Sequence, residues 1–248
     1  MKELPNVGLF GTGEKEYGKG GSGIEKILEA FGLLEIKDTV KVIVSNNWNG
    51  GVKQKAYENG IPFKAMTKLP NSESDGTYSE LAKEQMANRY LGIVQDYNLD
   101  YVFLSGWFVY VIGLEPNKTV NIHPGPTHEP YGGKGMYGIK VHEKIFQDYI
   151  DGKINQTCIT MHYVTDKYDD GPIIAQVPVS ISGCKNVKEL QNRVNEIEKI
   201  FQWKITLMVM TGEIFWSGIK GEPVVFPNDF IWGKEIDLTE GIPYDKKT

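Results

Sequence analysis

Arginine is scarce in this sequence. Arg89 and Arg193 are the only arginines among 248 residues, although lysine and arginine together number 27. Because arginine makes the bidentate contacts to phosphates and carboxylates, we expect an anionic ligand to be held by lysine and backbone N–H groups instead. The net charge of -5 gives no support for binding to nucleic acid or to an anionic membrane surface.

Cysteines and long apolar runs are also few. The two cysteines, Cys158 and Cys184, form neither a metal-ligand pattern nor a disulfide framework. No apolar stretch approaches the length needed to cross a bilayer, and Met1-Lys2-Glu3 leads directly into a strand-like run. The sequence therefore predicts a cytoplasmic protein, monomeric or homodimeric, that acts on a small molecule and binds neither nucleic acid nor membrane.

Strand-like and helix-like segments alternate along the first half of the chain. Val7–Gly11 and Val40–Ser45 are short apolar runs, and each is followed by a segment with helical periodicity. This alternation predicts an α/β fold with a mostly parallel, twisted sheet flanked by helices. Thr157–Val164 and Pro172–Ile181 alternate instead like antiparallel or edge strands, so we expect antiparallel pairing in the C-terminal half.

The domain organisation follows from the absence of any internal repeat, low-complexity segment or linker. We expect a single domain over residues 1–248, with a core at about 5–210 and a tail at 212–248 of short strands and irregular segments. Ser79–Tyr97 predicts a helix whose inner face includes Leu81, and Lys68–Gly76 predicts a polar loop.

A glycine-rich stretch, Gly11–Gly23, follows the first predicted strand. Gly21, Ser22 and Gly23 open a predicted helix, where unpaired N–H groups and the helix dipole favour a phosphate. The glycine spacing differs from the dinucleotide fingerprint, and Ser45 rather than an acidic residue ends the second strand, so NAD is not expected. The same residues also fit a flexible loop with Ser22 as helix N-cap, and the pattern does not decide between them.

Asn121 and His123 stand one residue apart at the end of the strand-like run Val120–His123. Alternation along a strand puts both side chains on the same face, and the carboxyl end of a strand in an α/β sheet commonly borders a ligand crevice. Histidine exchanges protons near neutral pH, and an asparagine amide can donate to an oxyanion. The structural alternative is that Asn121 and His123 only stabilise the turn before Pro124.

A third stretch combines His162 with the acidic loop Asp166–Asp170 before a Gly-Pro turn. One of these carboxylates could accept a proton beside His123, but a solvated acidic turn would look the same. The histidines lack zinc-ligand spacing, so we expect no metal. Leu104-Ser105-Gly106 lacks the leading glycine of a hydrolase nucleophile elbow.

Taken together, these stretches resemble the folate-dependent formyltransferase family, most closely its members that formylate glycinamide ribonucleotide. The resemblance covers roughly residues 5 to 210, and several motifs in the same order are more specific than any one of them. The segments that carry it are Asn121-Ile122-His123-Pro124, Gly138-Ile139-Lys140-Val141-His142-Glu143, Thr160-Met161-His162-Tyr163-Val164 and Asp169-Asp170-Gly171-Pro172-Ile173-Ile174.

The resemblance implies a Rossmann-like formyltransferase fold and transfer of a formyl group from 10-formyltetrahydrofolate to an amine in purine biosynthesis. Asn121, His123 and Asp169 match the family's catalytic residues. The Asn121 amide and a protonated His123 would bind the oxyanion, and Asp169 would accept or relay the amine proton. His162 would orient these three residues without contacting the substrate itself.

The resemblance also implies two binding regions. Gly21, Ser22 and Gly23 would hold the phosphate of the amine substrate. The folate pocket would be lined by Trp107, Phe108, Val109, Val164, Thr165 and Asp166.

Three departures from the family pattern bear on the substrate. Gly23 stands where the family has asparagine, Val109 where it commonly has arginine, and Glu129–Gly135 enlarges loop 125–135, which we interpret as a substrate-facing lid. Two alternatives therefore stay open: formylation of another amine, such as a nucleotide-linked amino sugar, and a non-catalytic relative that binds folate or a nucleotide.

Overall fold

The computed structural model describes residues 4–16, 19–67, 69 and 78–240. Tyr17 and Gly18 of the glycine-rich stretch, the predicted loop Lys68–Gly76 apart from Leu69, and the last eight residues of the tail lie outside them. The chain divides into two compact units, Met1–Val120 with Val164–Asp166, and Asn121–Tyr163 with Lys167–Thr248. The single domain over 1–248 stays a prediction.

The first unit alternates strands and helices as its sequence predicts. Strand β1 pairs in parallel with β2 and β4, and β2 pairs in parallel with β3. Two short 3₁₀ turns, Lys37–Thr39 and Pro116–Lys118, precede strands. The elements are β1 (Val7–Phe10), α1 (Ser22–Leu33), β2 (Val40–Ser45), α2 (Gly51–Glu58), β3 (Phe63–Ala65), α3 (Glu80–Asp96) and β4 (Tyr101–Ser105).

The core of this unit corrects one prediction for α3. Met86, Tyr90 and Ile93 are buried at spacings of four and three residues, which is one face of a helix. Leu81 lies well off that face and is 65% exposed. The prediction that Leu81 packs inward is wrong, because five residues separate it from Met86 and turn it away from the sheet.

The second unit contains the antiparallel part of the fold. Strand β5 (Thr119–His123) ends in it, and the unit continues with α4 (Ile139–Ile150), β6 (Gln156–Tyr163), β7 (Ile173–Ser180) and α5 (Val187–Thr211). β6 and β7 pair antiparallel, with Gln156 opposite Ser180. The strand order of the sheet is β3-β2-β1-β4-β5-β6-β7. The predicted Rossmann-like α/β fold with antiparallel strands in its C-terminal half is confirmed.

The tail packs on this second unit without forming a further named strand in its described part, residues 212–240. Its one bridge joins Phe215 to Val225. The N–H of Gln176 donates to the Trp232 carbonyl at 2.8 Å, and the N–H of Asn155 donates to the Leu238 carbonyl at 2.8 Å. These bonds satisfy backbone groups at the edge of the antiparallel pair.

Among the described residues, no helix is both long enough and apolar enough to cross a membrane.

Candidate active site

The second unit brings together four of the predicted residues. His123 Nδ1 lies 3.8 Å from Asp169 Oδ2, and His162 Nε2 lies 3.5 Å from Asp169 Oδ1. Asn121 Nδ2 lies 3.1 Å from His162 Nε2. The Asp169 carboxylate therefore faces both histidines, and Asn121 completes the cluster from β5, the strand that also carries His123.

Backbone carbonyls assign the tautomers of both histidines. A carbonyl only accepts, so His123 Nε2–H donates to the Tyr131 oxygen at 2.9 Å, and His162 Nδ1–H donates to the Tyr163 oxygen at 2.8 Å. In the neutral rings, His123 Nδ1 and His162 Nε2 then carry lone pairs. The lone pair of His162 accepts from the Asn121 amide, which leaves that amide one further N–H.

The charge state of His123 differs from the expectation. Burial lowers the pKa of His123, and the nearby His162 acts in the same direction, while Asp169 and the Tyr131 carbonyl raise it less. The ring is only 4% exposed. At neutral pH the His123 imidazole is therefore neutral, with a bare Nδ1 able to accept a proton. The resemblance to the family implied a protonated ring, and the sequence does not show the burial that opposes it.

Asp169 is a charged acceptor. Burial alone would raise the pKa of its carboxyl, but the contacts with His162 and His123 and the Gly133 N–H together lower that pKa below its ordinary value. The Gly133 N–H donates to Asp169 Oδ2 at 2.8 Å. Asp169 also has φ 52, a left-handed conformation that aspartate tolerates better than most residues.

The first unit contains the predicted phosphate loop. Gly21 is the N-cap of α1 with φ 76, and α1 begins at Ser22, without a side-chain cap bond. The alternative with Ser22 as N-cap is therefore wrong, because left-handed Gly21 occupies that position. A Cβ at Gly21 would lie 2.8 Å from Val52 Cγ2, so the backbone is closely packed there.

One buried lysine supports this loop. The Lys55 stem lies beneath Gly21, since a Cβ at that glycine would meet Lys55 Cδ at 3.4 Å. Lys55 Nζ pairs with Glu25 Oε1 at 2.7 Å, and Glu25 lies in the first turn of α1. The Lys55 charge and the helix N-terminus therefore both stabilise the Glu25 carboxylate.

The predicted folate-lining residues also fall within the first unit. Trp107 is buried and donates its indole N–H to the Tyr90 hydroxyl at 2.9 Å, and Val109 is buried in the same core. Phe108 is 46% exposed, and its N–H donates to Thr12 Oγ1. The side chains of Trp107 and Val109 are in the core, whereas Phe108 is accessible.

The second folate segment, residues 164–166, is more accessible. Val164 and Thr165 are half-buried and Asp166 is exposed. The Tyr110 hydroxyl donates to the Asp166 carbonyl at 2.6 Å, and Val164 packs on the core that contains Trp107 and Val109. The structure therefore places all six predicted residues in one compact unit.

Sequence reasoning missed the residues that contact the histidines from the loop after Pro124. Tyr131 is 5% exposed, and its hydroxyl donates to buried Asp148 on α4 at 2.9 Å. The only sequence signal was a tyrosine within a Pro-Tyr-Gly-Gly turn, where an exposed side chain is the usual expectation. Exposed His128 makes its ring contact with Tyr131 rather than with the cluster.

A carboxyl on α5 was also missed. Burial raises the pKa of Glu198 to about 7, although the Asn195 amide and Lys199 act in the opposite direction. Its sequence context is an ordinary run of charged helix residues, which predicts a solvated side chain. Within the described part of the chain, no three histidine, cysteine or acidic residues are grouped as metal ligands would be.

The fold and this cluster define a class: an α/β protein of Rossmann-like topology that places an asparagine, two histidines and a carboxylate around the end of one strand. The family described as formyl transferase matches residues 18–206. The chain belongs to the formyl transferase family, which confirms the resemblance given by its motifs.

Individual relatives agree with this assignment. The chain is 30% identical over 187 residues to a chloroplastic phosphoribosylglycinamide formyltransferase of Arabidopsis thaliana, an alignment covering 73% of this chain and 60% of that protein. It thus spans three fifths of that relative's length. It is 27% identical to the phosphoribosylglycinamide formyltransferase of Schizosaccharomyces pombe over 190 residues, covering 73% of this chain and 87% of that one.

Solved structures show the same fold. Glycinamide ribonucleotide transformylase 1 from Symbiobacterium toebii superposes with a TM-score of 0.69 at 21% identity, covering 91% of this chain and 95% of that chain.

Proposed function

We propose that this chain transfers the formyl group of 10-formyltetrahydrofolate to the amine of glycinamide ribonucleotide in de novo purine biosynthesis. The observation that carries the proposal is the cluster of Asn121, His123 and Asp169, with His162 behind it. Membership of the formyl transferase family and the names of the relatives support the same reaction. A protein that only binds a folate or a nucleotide has no need of this set of groups.

The proposed chemistry uses the neutral state of His123. The substrate amine attacks the formyl carbon, and the carbonyl oxygen becomes an oxyanion. This oxyanion accepts a hydrogen bond from the Asn121 N–H that does not bond His162. The amine proton passes to His123 Nδ1, and the Asp169 carboxylate stabilises the imidazolium so formed. The bond between the formyl carbon and N10 then breaks, the proton moves to N10, and the products are tetrahydrofolate and the formamide.

The binding roles are part of the proposal. Gly21, Ser22 and Gly23 hold the substrate phosphate, supported by their position at the N-terminus of α1. The folate contacts the exposed Phe108 ring, the backbone at Trp107 and Val109, and the accessible segment Val164, Thr165 and Asp166.

Location and assembly are also proposed. We assign the protein to the cytoplasm, supported by two buried free cysteines, Cys158 and Cys184, since thiols persist in a reducing compartment. Its oligomeric state, monomer or homodimer, stays a prediction.

One assay tests the function. Purified protein is incubated with 10-formyltetrahydrofolate and either glycinamide ribonucleotide or a panel of nucleotide-linked amino sugars, and the formylated product is identified by mass spectrometry. We expect formylated glycinamide ribonucleotide, and we expect His123→Ala to abolish it. If only an amino sugar is formylated, the acceptor is that amino sugar and not glycinamide ribonucleotide. Binding of folate without transfer to any acceptor would refute the enzyme assignment.

A further inference from the structure

The loop at residues 128–133, called here the clamp loop, contacts both His123 and Asp169 through its backbone. The Tyr131 carbonyl accepts the His123 Nε2–H at 2.9 Å, and the Gly133 N–H donates to Asp169 Oδ2 at 2.8 Å. Two residues of one short loop therefore hold His123 Nε2 and Asp169 Oδ2 in place.

The clamp loop is a compact turn. The N–H groups of Tyr131 and Gly132 both donate to the His128 carbonyl at 3.0 Å. A Cβ at Gly132 would lie 2.1 Å from the Thr127 carbonyl oxygen, so only glycine fits at this point. These contacts hold the Tyr131 carbonyl and the Gly133 N–H at a fixed separation.

The Tyr131 side chain anchors the loop to α4. Its hydroxyl donates to Asp148 Oδ2 at 2.9 Å, and Asp148 is 2% exposed. Lys144 Nζ lies 2.5 Å from Asp148 Oδ2, and Lys153 Nζ lies 2.9 Å from Asp148 Oδ1. Burial would raise the pKa of Asp148, but the bonds from Lys144, Lys153 and Tyr131 outweigh it and lower the pKa to about 2. The anchor is therefore an ionised carboxylate, which accepts a stronger hydrogen bond than a neutral oxygen does.

We propose that Tyr131 is a positioning residue for His123: its anchored phenol holds its own carbonyl against Nε2–H and thereby keeps Nδ1 bare and facing Asp169. The inference rests on the proposed function for its catalytic consequence. Within loop 125–135, Tyr131 is 5% exposed and its hydroxyl contacts α4, while the interpretation of the loop as a lid stays a prediction.

The tautomer matters because a neutral imidazole carries one proton on either nitrogen. If the proton moved to Nδ1, that nitrogen would donate to Asp169 and could no longer accept a proton from the amine. The Tyr131 carbonyl prevents this by giving Nε2–H a buried acceptor. Loss of the anchor would let the carbonyl move away and would populate the inactive tautomer.

Tyr131→Phe tests the proposal, because it removes only the hydroxyl. The backbone carbonyl and the ring remain, and the side-chain volume is nearly unchanged. We expect kcat to fall roughly tenfold, the effect of one weakened hydrogen bond on the reacting group, while KM for both substrates changes less than about twofold. Nuclear magnetic resonance of isotope-labelled histidine, with the His123 signals assigned by their loss in His123→Ala, should show the Nδ1–H form appearing in the variant.

Tyr101→Phe is the matched control, since the Tyr101 hydroxyl also has one hydrogen-bond partner, Lys118 Nζ at 3.2 Å, but lies at the start of β4. We expect this control to leave kcat within about twofold of the parent. Asp148→Asn keeps an oxygen for the Tyr131 hydroxyl and should retain more kcat than Asp148→Ala. A Tyr131→Phe variant with a lowered Tm but parental kcat and an unchanged His123 tautomer would overturn the proposal and leave the tyrosine a purely structural role.

The two readouts separate this inference from the proposed function. If the parent transfers no formyl group but Tyr131→Phe still changes the His123 tautomer, the function fails and the positioning role stands. If the parent is active and the tautomer does not respond, the positioning role fails and the function stands.

Discussion

Replacing Asp169 by asparagine should show how much the reaction depends on a charge beside His123. The substitution preserves shape and an oxygen that can accept the Gly133 N–H, but it removes the negative charge 3.8 Å from His123 Nδ1. At an effective dielectric constant of about 20, a full pair of charges at this separation is worth about 4 kcal/mol. Because the imidazolium exists only after the amine proton has been transferred, that stabilisation favours the transition state over the free enzyme.

The expected result is therefore a loss of kcat. Four kcal/mol would correspond to roughly a thousandfold, and incomplete charge development reduces this to an expected loss of about a hundredfold to a thousandfold. KM should change much less, because the resting His123 is neutral. The assay is steady-state formyl transfer to glycinamide ribonucleotide at saturating 10-formyltetrahydrofolate.

The pH dependence gives a second measure of the same charge. Asp169 raises the pKa of His123, so its removal lowers that pKa further and moves the acidic limb of the kcat/KM profile to lower pH. Asp38→Asn is the control, since Asp38 is exposed in the 3₁₀ turn before β2. An Asp169→Asn enzyme with kcat within a few-fold of the parent would refute the role assigned to this carboxylate.

Three further predictions concern stability. The pKa of Asp148 is lowered from 3.8 to about 2, so its contribution, about 2 kcal/mol, is present above pH 3.8 and is lost as the pH falls toward 2; urea unfolding of the parent and Asp148→Asn across this range should show the acid loss only in the parent. The pKa of half-buried Glu198 is raised from 4.5 to about 7, so stability should fall by about 3 kcal/mol as the pH rises between these values and the carboxyl ionises; Glu198→Gln should flatten this part of the curve, and an unchanged slope would contradict the raised pKa. Gly132→Ala should lower Tm by several degrees, a loss of about 2 kcal/mol, because the new methyl group meets the Thr127 carbonyl; equal Tm values would show that the turn can relax.

Local patterns predicted the elements well where one physical rule dominates. β2 begins and ends at Val40 and Ser45 as predicted, since a β-branched run buried on both faces has few alternatives. The spacing of Asn121 and His123 likewise predicted that both side chains would lie on one face of the strand, and the resemblance to the formyltransferase family implied Asp169 beside them. The prediction for Leu81 failed because apolar character was given more weight than helical phase.

Other features depend on contacts distant in sequence and could not be predicted. The N-cap at Gly21 depends on close packing against Val52, which excludes any side chain there. The neutral state of His123 depends on its burial, and its tautomer depends on a carbonyl eight residues away. Neither the strand motif nor the acidic loop contains that information.

The clamp loop and the acidic turn stabilise each other, which explains why the histidine cluster needs both. Asp169 adopts φ 52, a conformation that costs a non-glycine residue on the order of 1 kcal/mol. The Gly133 N–H that bonds Asp169 Oδ2 offsets this cost and comes from the loop whose Tyr131 carbonyl orients His123. A change that loosens the loop should therefore release the carboxylate and the imidazole together. For this reason we expect the kinetic effects of Tyr131→Phe and Asp169→Asn to be less than additive, and a double variant whose losses multiplied in full would show that the two contacts act independently.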